Sequence, residues 1–160
     1  MGAFDRVAQS YRDLCNLLEG IGEFPSEAAL HQLKDYIANC ERRICIGTGR
    51  SGENAEVFVK FLRNLGYREV YGPEDIPYVF TSEDLVMAFS GSGTTTYTLE
   101  TARIAKEAGA KIVCLTSNPS SPLGAISDLI LYIPGKTEIG HDEDYHGRQL
   151  LGLSYSPLTP

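Results

Sequence analysis

The sequence predicts an α/β domain: a five-stranded parallel sheet of flavodoxin-like order, 2-1-3-4-5, with helices on both faces and two further helices leading in. Three observations predict it. Short β-branched or continuously apolar runs alternate with segments whose apolar residues recur at three- and four-residue spacing. Such alternation with short connections marks parallel strands joined by crossover helices. The chain has 160 residues, 42% hydrophobic and 22% charged, which suits one domain with a real core. No apolar run approaches the roughly 20 residues that span a bilayer, so these runs are core elements and no membrane partner is expected.

The first element is a helix over residues 4–18, where Phe4, Val7, Ala8, Tyr11, Leu14, Cys15 and Leu18 share a face and Gly20 follows. A second helix begins after Pro25. Ser26 is placed to cap it, and Ala29, Leu30, Leu33, Ile37 and Cys40 form its apolar face. Ile44, Cys45 and Ile46 make a buried strand ending at Gly47. The next helix carries Ala55, Phe58, Phe61, Leu62 and Leu65 on one face and is closed by Gly66. Glu69, Val70 and Tyr71 form a short strand, and residues 85–89 a continuous apolar one. A helix over 95–108 stops at Gly109. Residues 112–115 are the fourth strand, 121–127 a short helix and 129–133 the last strand. After Pro134 and Gly135 the pattern fades into the polar stretch 136–148.

Charge and cysteine content narrow the function classes. The net charge is −7, and without a basic patch nucleic acid is not an expected partner. A small phosphorylated ligand is compatible with that charge, because a few N–H groups at a helix start dominate at short range. Cys15, Cys40, Cys45 and Cys114 form no C-x-x-C pair. They read as small buried hydrophobes in a reducing, cytoplasmic compartment, and the N-terminus lacks the pattern of a signal peptide.

In an open parallel sheet, ligands bind beyond the carboxyl ends of the strands where strand order reverses. For the order given, that point lies between strands one and three. The loops after those strands are the two most unusual segments of the chain: Gly47-Thr48-Gly49-Arg50-Ser51-Gly52 and Ser90-Gly91-Ser92-Gly93-Thr94-Thr95. Both are rich in glycine and hydroxyls, and both open a helix. Glycine lets backbone N–H groups approach a ligand, hydroxyls add donors, and the helix start adds partial positive charge. Arg50 adds a full one. Together they form a cradle for a phosphate and neighbouring hydroxyls. Each loop taken singly also fits a tight turn with a Ser/Thr cap. Gly47, Gly49 and Gly52 fit the dinucleotide fingerprint too, with Glu74 or Asp75 as the ribose acid. That fingerprint leaves the second hydroxyl-rich loop without a role.

These two loops resemble those of the SIS (sugar isomerase) domain proteins, and more specifically the 3-hexulose-6-phosphate isomerases, which pair G-x-G-R-S-G with S-G-S-G-x-T. The similarity extends to Phe58, to Leu65-Gly66-Tyr67, to Thr116-Ser117-Asn118-Pro119 and to Ile133-Pro134-Gly135-Lys136. The resemblance implies a three-layer αβα sandwich and a homo-oligomer, tetramer or dimer, with sites near subunit interfaces. It implies that Gly49, Arg50, Ser51, Ser90, Gly91, Ser92, Gly93, Thr94 and Thr95 hold a sugar phosphate. The implied reaction interconverts 3-hexulose 6-phosphate and fructose 6-phosphate through an enediol, as in the ribulose monophosphate pathway, with neither metal nor organic cofactor. The chain departs from the family pattern at Asn64, Pro73, Glu74 and Thr94. The family's P-[LM]-G-[ST]-x-F-E segment, whose Glu is the implied base, is not met before Pro160. The expectation is therefore one SIS domain over 1–160 without that segment and its following helix, binding phosphosugar better than it isomerises it.

Enediol chemistry needs a carboxylate or imidazole to move the proton. Glu53, Glu143 and His146 are the candidates within the chain, with Glu138 and His141 nearby in sequence. His31 falls among helix residues and reads as structural or exposed. Asp142, His141 and His146 have spacing that a metal could use, but no metal site is expected. Two function classes follow: a phosphosugar isomerase, and a non-catalytic phosphosugar-binding module. A correctly placed base separates them.

Overall fold

Strand register and a two-residue side-chain alternation organise the molecule. A computed structural model of the chain describes residues 25–133, together with 8, 9 and 12. Ala8, Gln9 and Arg12 are helical; the rest of the helix expected over 4–18 lies outside the described residues. The elements in chain order are α1 (Glu27–Asn39), β1 (Arg42–Gly47), α2 (Arg50–Asn64), β2 (Val70–Tyr71), β3 (Asp84–Phe89), α3 (Thr96–Glu107), β4 (Lys111–Thr116), α4 (Pro122–Ile126) and β5 (Leu129–Tyr132). All strand pairs are parallel, in the order β2-β1-β3-β4-β5. This is the expected order. It puts β1 beside β3, with Gly47 level with Phe89.

Successive strand residues face opposite sides of a sheet, and the core divides accordingly. Cys45, Leu85, Met87, Phe89, Val113, Leu129 and Leu131 pack under Ile37 of α1 and Ala55, Val59 and Leu62 of α2. Ile44, Ile46, Val86, Ala88, Ile112 and Cys114 pack under Leu99, Ala102 and Ala105 of α3 and Leu123 of α4. Both faces are buried, which is why the strands read as unbroken apolar runs. Cys40, Cys45 and Cys114 are free thiols. Burial, followed by the charge of Glu56, pushes the Cys45 thiol up to about 12, the behaviour of a packed hydrophobe.

Two arginines at the amino ends of the strands stabilise the frame. Arg43 is buried and turns back on α1, donating from Nε to the Ile37 carbonyl at 2.8 Å and from Nη2 to that of Cys40 at 2.9 Å. These are carbonyls that a helix end leaves unsatisfied. The guanidinium also lies 4.6 Å from the centre of the Tyr67 ring. Arg42 grips Asp84 with two bonds, 2.7 and 2.6 Å, and reaches the Val79 carbonyl at 2.9 Å. Thr81 N–H donates to the same carboxylate at 2.7 Å. This clamp holds the loop 72–83 against the sheet. Apolar periodicity does not report such a clamp.

Candidate functional site

The two loops singled out by composition lie side by side at the carboxyl ends of β1 and β3. After β1 the backbone packs directly on the first turn of α2. A Cβ on Gly47 would fall 2.7 Å from the Ser51 carbonyl oxygen and 3.0 Å from Gly52 N, and one on Gly52 would fall 3.0 Å from the Gly47 oxygen. A side chain at Gly47 would collide with that backbone, and one at Gly52 would fit only if the Gly47 carbonyl gave way by a few tenths of an ångström. Gly49, the N-cap of α2, has φ 58 and offers no side-chain cap. Arg50 and Ser51 are half-buried, and Glu53 is exposed on the same first turn.

After β3, the loop 90–95 is a web of hydroxyl bonds. Ser90 is buried; its hydroxyl accepts from Gly93 N–H at 3.1 Å and donates to Thr95 Oγ1 at 3.2 Å. Ser92 Oγ accepts from Thr94 N–H at 3.3 Å and from the Thr94 hydroxyl at 3.0 Å. Each hydroxyl has one proton to give. Ser90 gives its proton to Thr95, and Thr94 gives its own to Ser92. The outward donors of the loop are therefore the hydroxyls of exposed Ser92 and half-buried Thr95. The hydroxyls of Thr48, in the first loop, and Thr98, in the first turn of α3, lie 3.5 Å apart.

Helix capping sets these two helices apart. The Ser26 hydroxyl caps α1 by accepting from Ala29 N–H at 3.3 Å, and Ser121 caps α4 by accepting from Gly124 N–H at 3.2 Å. The starts of α2 and α3, both at the switch point, have no side-chain cap bond. The positive ends of both helix dipoles converge there, which suits an anion.

The structure thus brings together Gly49, Arg50 and Ser51 with Ser90, Gly91, Ser92, Gly93, Thr94 and Thr95 at one end of the sheet. Glu143 and His146, like Glu138 and His141, lie outside the described residues. Among the described residues no three His, Cys, Asp or Glu side chains are grouped to hold a metal ion, and no helix is long and apolar enough to cross a membrane. A separate hollow of about 330 Å³, bordered by Asp35, Tyr36, Ser82, Glu83 and Lys111, is at the amino end of the strands, away from these loops.

The connection from β4 to α4 carries residues whose part the sequence reading does not assign. The Gly91 carbonyl accepts from the Thr116 hydroxyl at 3.1 Å, the Ser117 hydroxyl at 2.8 Å and Ser117 N–H at 3.0 Å. The Gly93 carbonyl accepts from Leu123 N–H at 3.2 Å. Thr116, Ser117 and Ser121 are all buried. Their signal was the hydroxyl-rich run after β4, the neighbour of β3 in the sheet.

Comparison with known proteins agrees with this architecture. The model of the SIS domain family matches residues 36–143. An uncharacterised protein of Aeropyrum pernix is 40% identical over 118 residues, covering 73% of this chain and 55% of its own length. The 3-hexulose-6-phosphate isomerase of Bacillus subtilis is 31% identical over 147 residues, covering 92% of this chain and 80% of its own. A Methanococcus jannaschii protein, whose crystal structure infers the function of a 3-hexulose-6-phosphate isomerase, superposes with a TM-score of 0.61 at 26% identity, over 66% of this chain and 59% of its own. The chain spans little more than half the length of the Aeropyrum protein.

Proposed function

This chain belongs to the SIS domain family, and from that premise we propose that it isomerises a phosphorylated ketohexose, interconverting 3-hexulose 6-phosphate and fructose 6-phosphate. The observation that carries the proposal is the meeting of two uncapped helix starts, each fronted by hydroxyls, at one switch point. The similarity to the Bacillus subtilis enzyme over most of the chain supports the choice of sugar.

In this reading the phosphate lies on the loop 90–95, taking the hydroxyl protons of Ser92 and Thr95 and the first N–H groups of α3. The sugar extends toward Gly49, Arg50 and Ser51. A base removes the proton from C2 of the 3-ketose, giving a 2,3-enediol, and a proton returns at C3 to leave the carbonyl at C2. The sugar as a whole is neither oxidised nor reduced, so the step draws on no electron carrier. Glu53 is the candidate base among the described residues, one turn into α2; Glu143 and His146 are the others.

A homo-oligomer is part of the proposal. Phe61 and Leu65, expected on the same face as Ala55 and Leu62, are instead exposed, and with Val57 they form an apolar stripe along α2 and its C-cap, a surface of the kind that a partner covers. Sedimentation as a strict monomer at micromolar concentration would contradict it.

The reaction is tested in deuterium oxide. Fructose 6-phosphate incubated with the protein gains deuterium at C3 as the enediol forms in reverse. Binding without exchange leaves a phosphosugar-binding module, and the absence of both removes the phosphosugar reading.

A further inference from the structure

We infer that Thr116, with Ser117 beside it, is a positioning residue for the anion loop: its hydroxyl fixes the peptide between Gly91 and Ser92 so that the Ser92 N–H faces the ligand. The inference rests on the phosphosugar reading of loop 90–95.

Thr116 is the last residue of β4 and has no exposed surface. Its hydroxyl donates to the Gly91 carbonyl at 3.1 Å and accepts from Asn118 N–H at 3.1 Å, so both its donor and an acceptor site are used. Ser117 adds its hydroxyl at 2.8 Å and its N–H at 3.0 Å to the same carbonyl oxygen. Three donors on one oxygen exceed its two lone pairs. The convergence is more than burial of one carbonyl demands, and it fixes which way that carbonyl points.

A trans peptide is planar, with its C=O and the following N–H on opposite sides. There is no cis peptide among the described residues. Holding the Gly91 oxygen toward the end of β4 therefore turns the Ser92 N–H away from β4, toward the side of β3 on which β1 and its loop lie. A flip of this one peptide would exchange a donor for a carbonyl oxygen at that place. An oxygen there repels a phosphate. Thr116 thus contributes to binding without touching the ligand, through the orientation of a neighbouring strand's loop.

The test uses Thr116→Val, which keeps the shape and removes the hydroxyl, and Thr116→Ser, which restores it. Inorganic phosphate and fructose 6-phosphate are titrated calorimetrically, and the Ser92 amide is followed by ¹⁵N NMR. Thr116→Val is expected to weaken both ligands about tenfold or more, while Thr116→Ser stays within about threefold of the parent. The Ser92 amide should shift on phosphate addition in the parent and in Thr116→Ser. Equal affinity in Thr116→Val, or a Ser92 amide indifferent to phosphate in the parent, overturns the inference. If Thr116→Val does not fold, Ser117→Ala removes the other hydroxyl donor, and unchanged phosphate affinity there has the same meaning. If the parent binds neither ligand, the phosphosugar reading falls by itself. The peptide orientation is then decided in ligand-free protein by the nuclear Overhauser contacts between Gly91 Hα and Ser92 HN. These should differ between the parent and Thr116→Val, and identical patterns overturn the inference.

Discussion

Gly93→Ala probes the joint between the anion loop and the β4–α4 connection. Gly93 has φ 65, and a Cβ there would fall 1.9 Å from Ser121 Oγ, 2.4 Å from Ser121 Cβ and 3.3 Å from Thr116 Oγ1. An alanine at this φ costs about 1–2 kcal/mol. Ser121 gives way only with difficulty, because it is buried and its hydroxyl caps α4 through Gly124 N–H. Forcing it aside adds about 1–3 kcal/mol of overpacking and about 1 kcal/mol for the lost cap. The whole is about 3–6 kcal/mol. At about 2–4 °C per kcal/mol this lowers Tm by roughly 6–24 °C, measured by differential scanning calorimetry. The double variant Gly93→Ala/Ser121→Gly removes both clashing atoms, and glycine at a cap costs only a few tenths of a kcal/mol more than serine. It should recover about 1–3 kcal/mol relative to the single variant. A single variant within about 1 kcal/mol of the parent, or a double variant no more stable than the single one, refutes the packing argument.

Three further outcomes follow from the frame around the site. Asp84→Ala strands Arg42 beside a carboxylate site whose side chain is fully buried, and urea unfolding should show a loss of about 3–5 kcal/mol; a loss below about 1 kcal/mol would mean that the clamp is idle. Burial pushes the Asp128 carboxyl up, but Ile112 N–H, Lys106 and Lys111 outweigh it and hold the group below its usual range. A depressed folded value stabilises above the unfolded one, near pH 3.9, so the parent's advantage over Asp128→Asn should be full at neutral pH and vanish as the pH falls through the lower folded value. An advantage that does not change with pH would contradict this. Cys45, with its thiol near 12 and buried, should stay unmodified by a thiol reagent at pH 8 until denaturant is added, as read by peptide mass mapping; modification in the native protein would contradict the packing described.

The sheet was legible because both of its faces are covered. Unbroken apolar runs at 85–89 and 112–115 announce strands buried on both sides, and Gly66 and Gly109 mark the ends of α2 and α3. The loops were legible because glycine and hydroxyls cluster there beyond what a turn needs. The sequence did not show how those hydroxyls are shared. Composition cannot tell that Ser90 turns inward to Gly93 and Thr95 while Ser92 faces out, because that depends on the path of six backbone atoms per peptide. The support from Thr116 and Ser117 joins positions 25 and 26 residues from Gly91, and periodicity carries no information across such a span. The Arg42–Asp84 clamp escaped for the same reason. β2 was expected over three residues and has two; edge strands are weakly specified by pattern alone.

The account's central claim is that the switch point between β1 and β3 holds a sugar phosphate. The most direct measurement is calorimetric titration of fructose 6-phosphate into the parent protein and into Ser92→Leu, which removes an outward hydroxyl and fills the mouth of the loop. The account predicts saturable binding to the parent and at least about tenfold weaker binding to the variant, with thermal stability little changed. Equal affinity in the two proteins would place the ligand elsewhere, and no binding to the parent would contradict the claim outright.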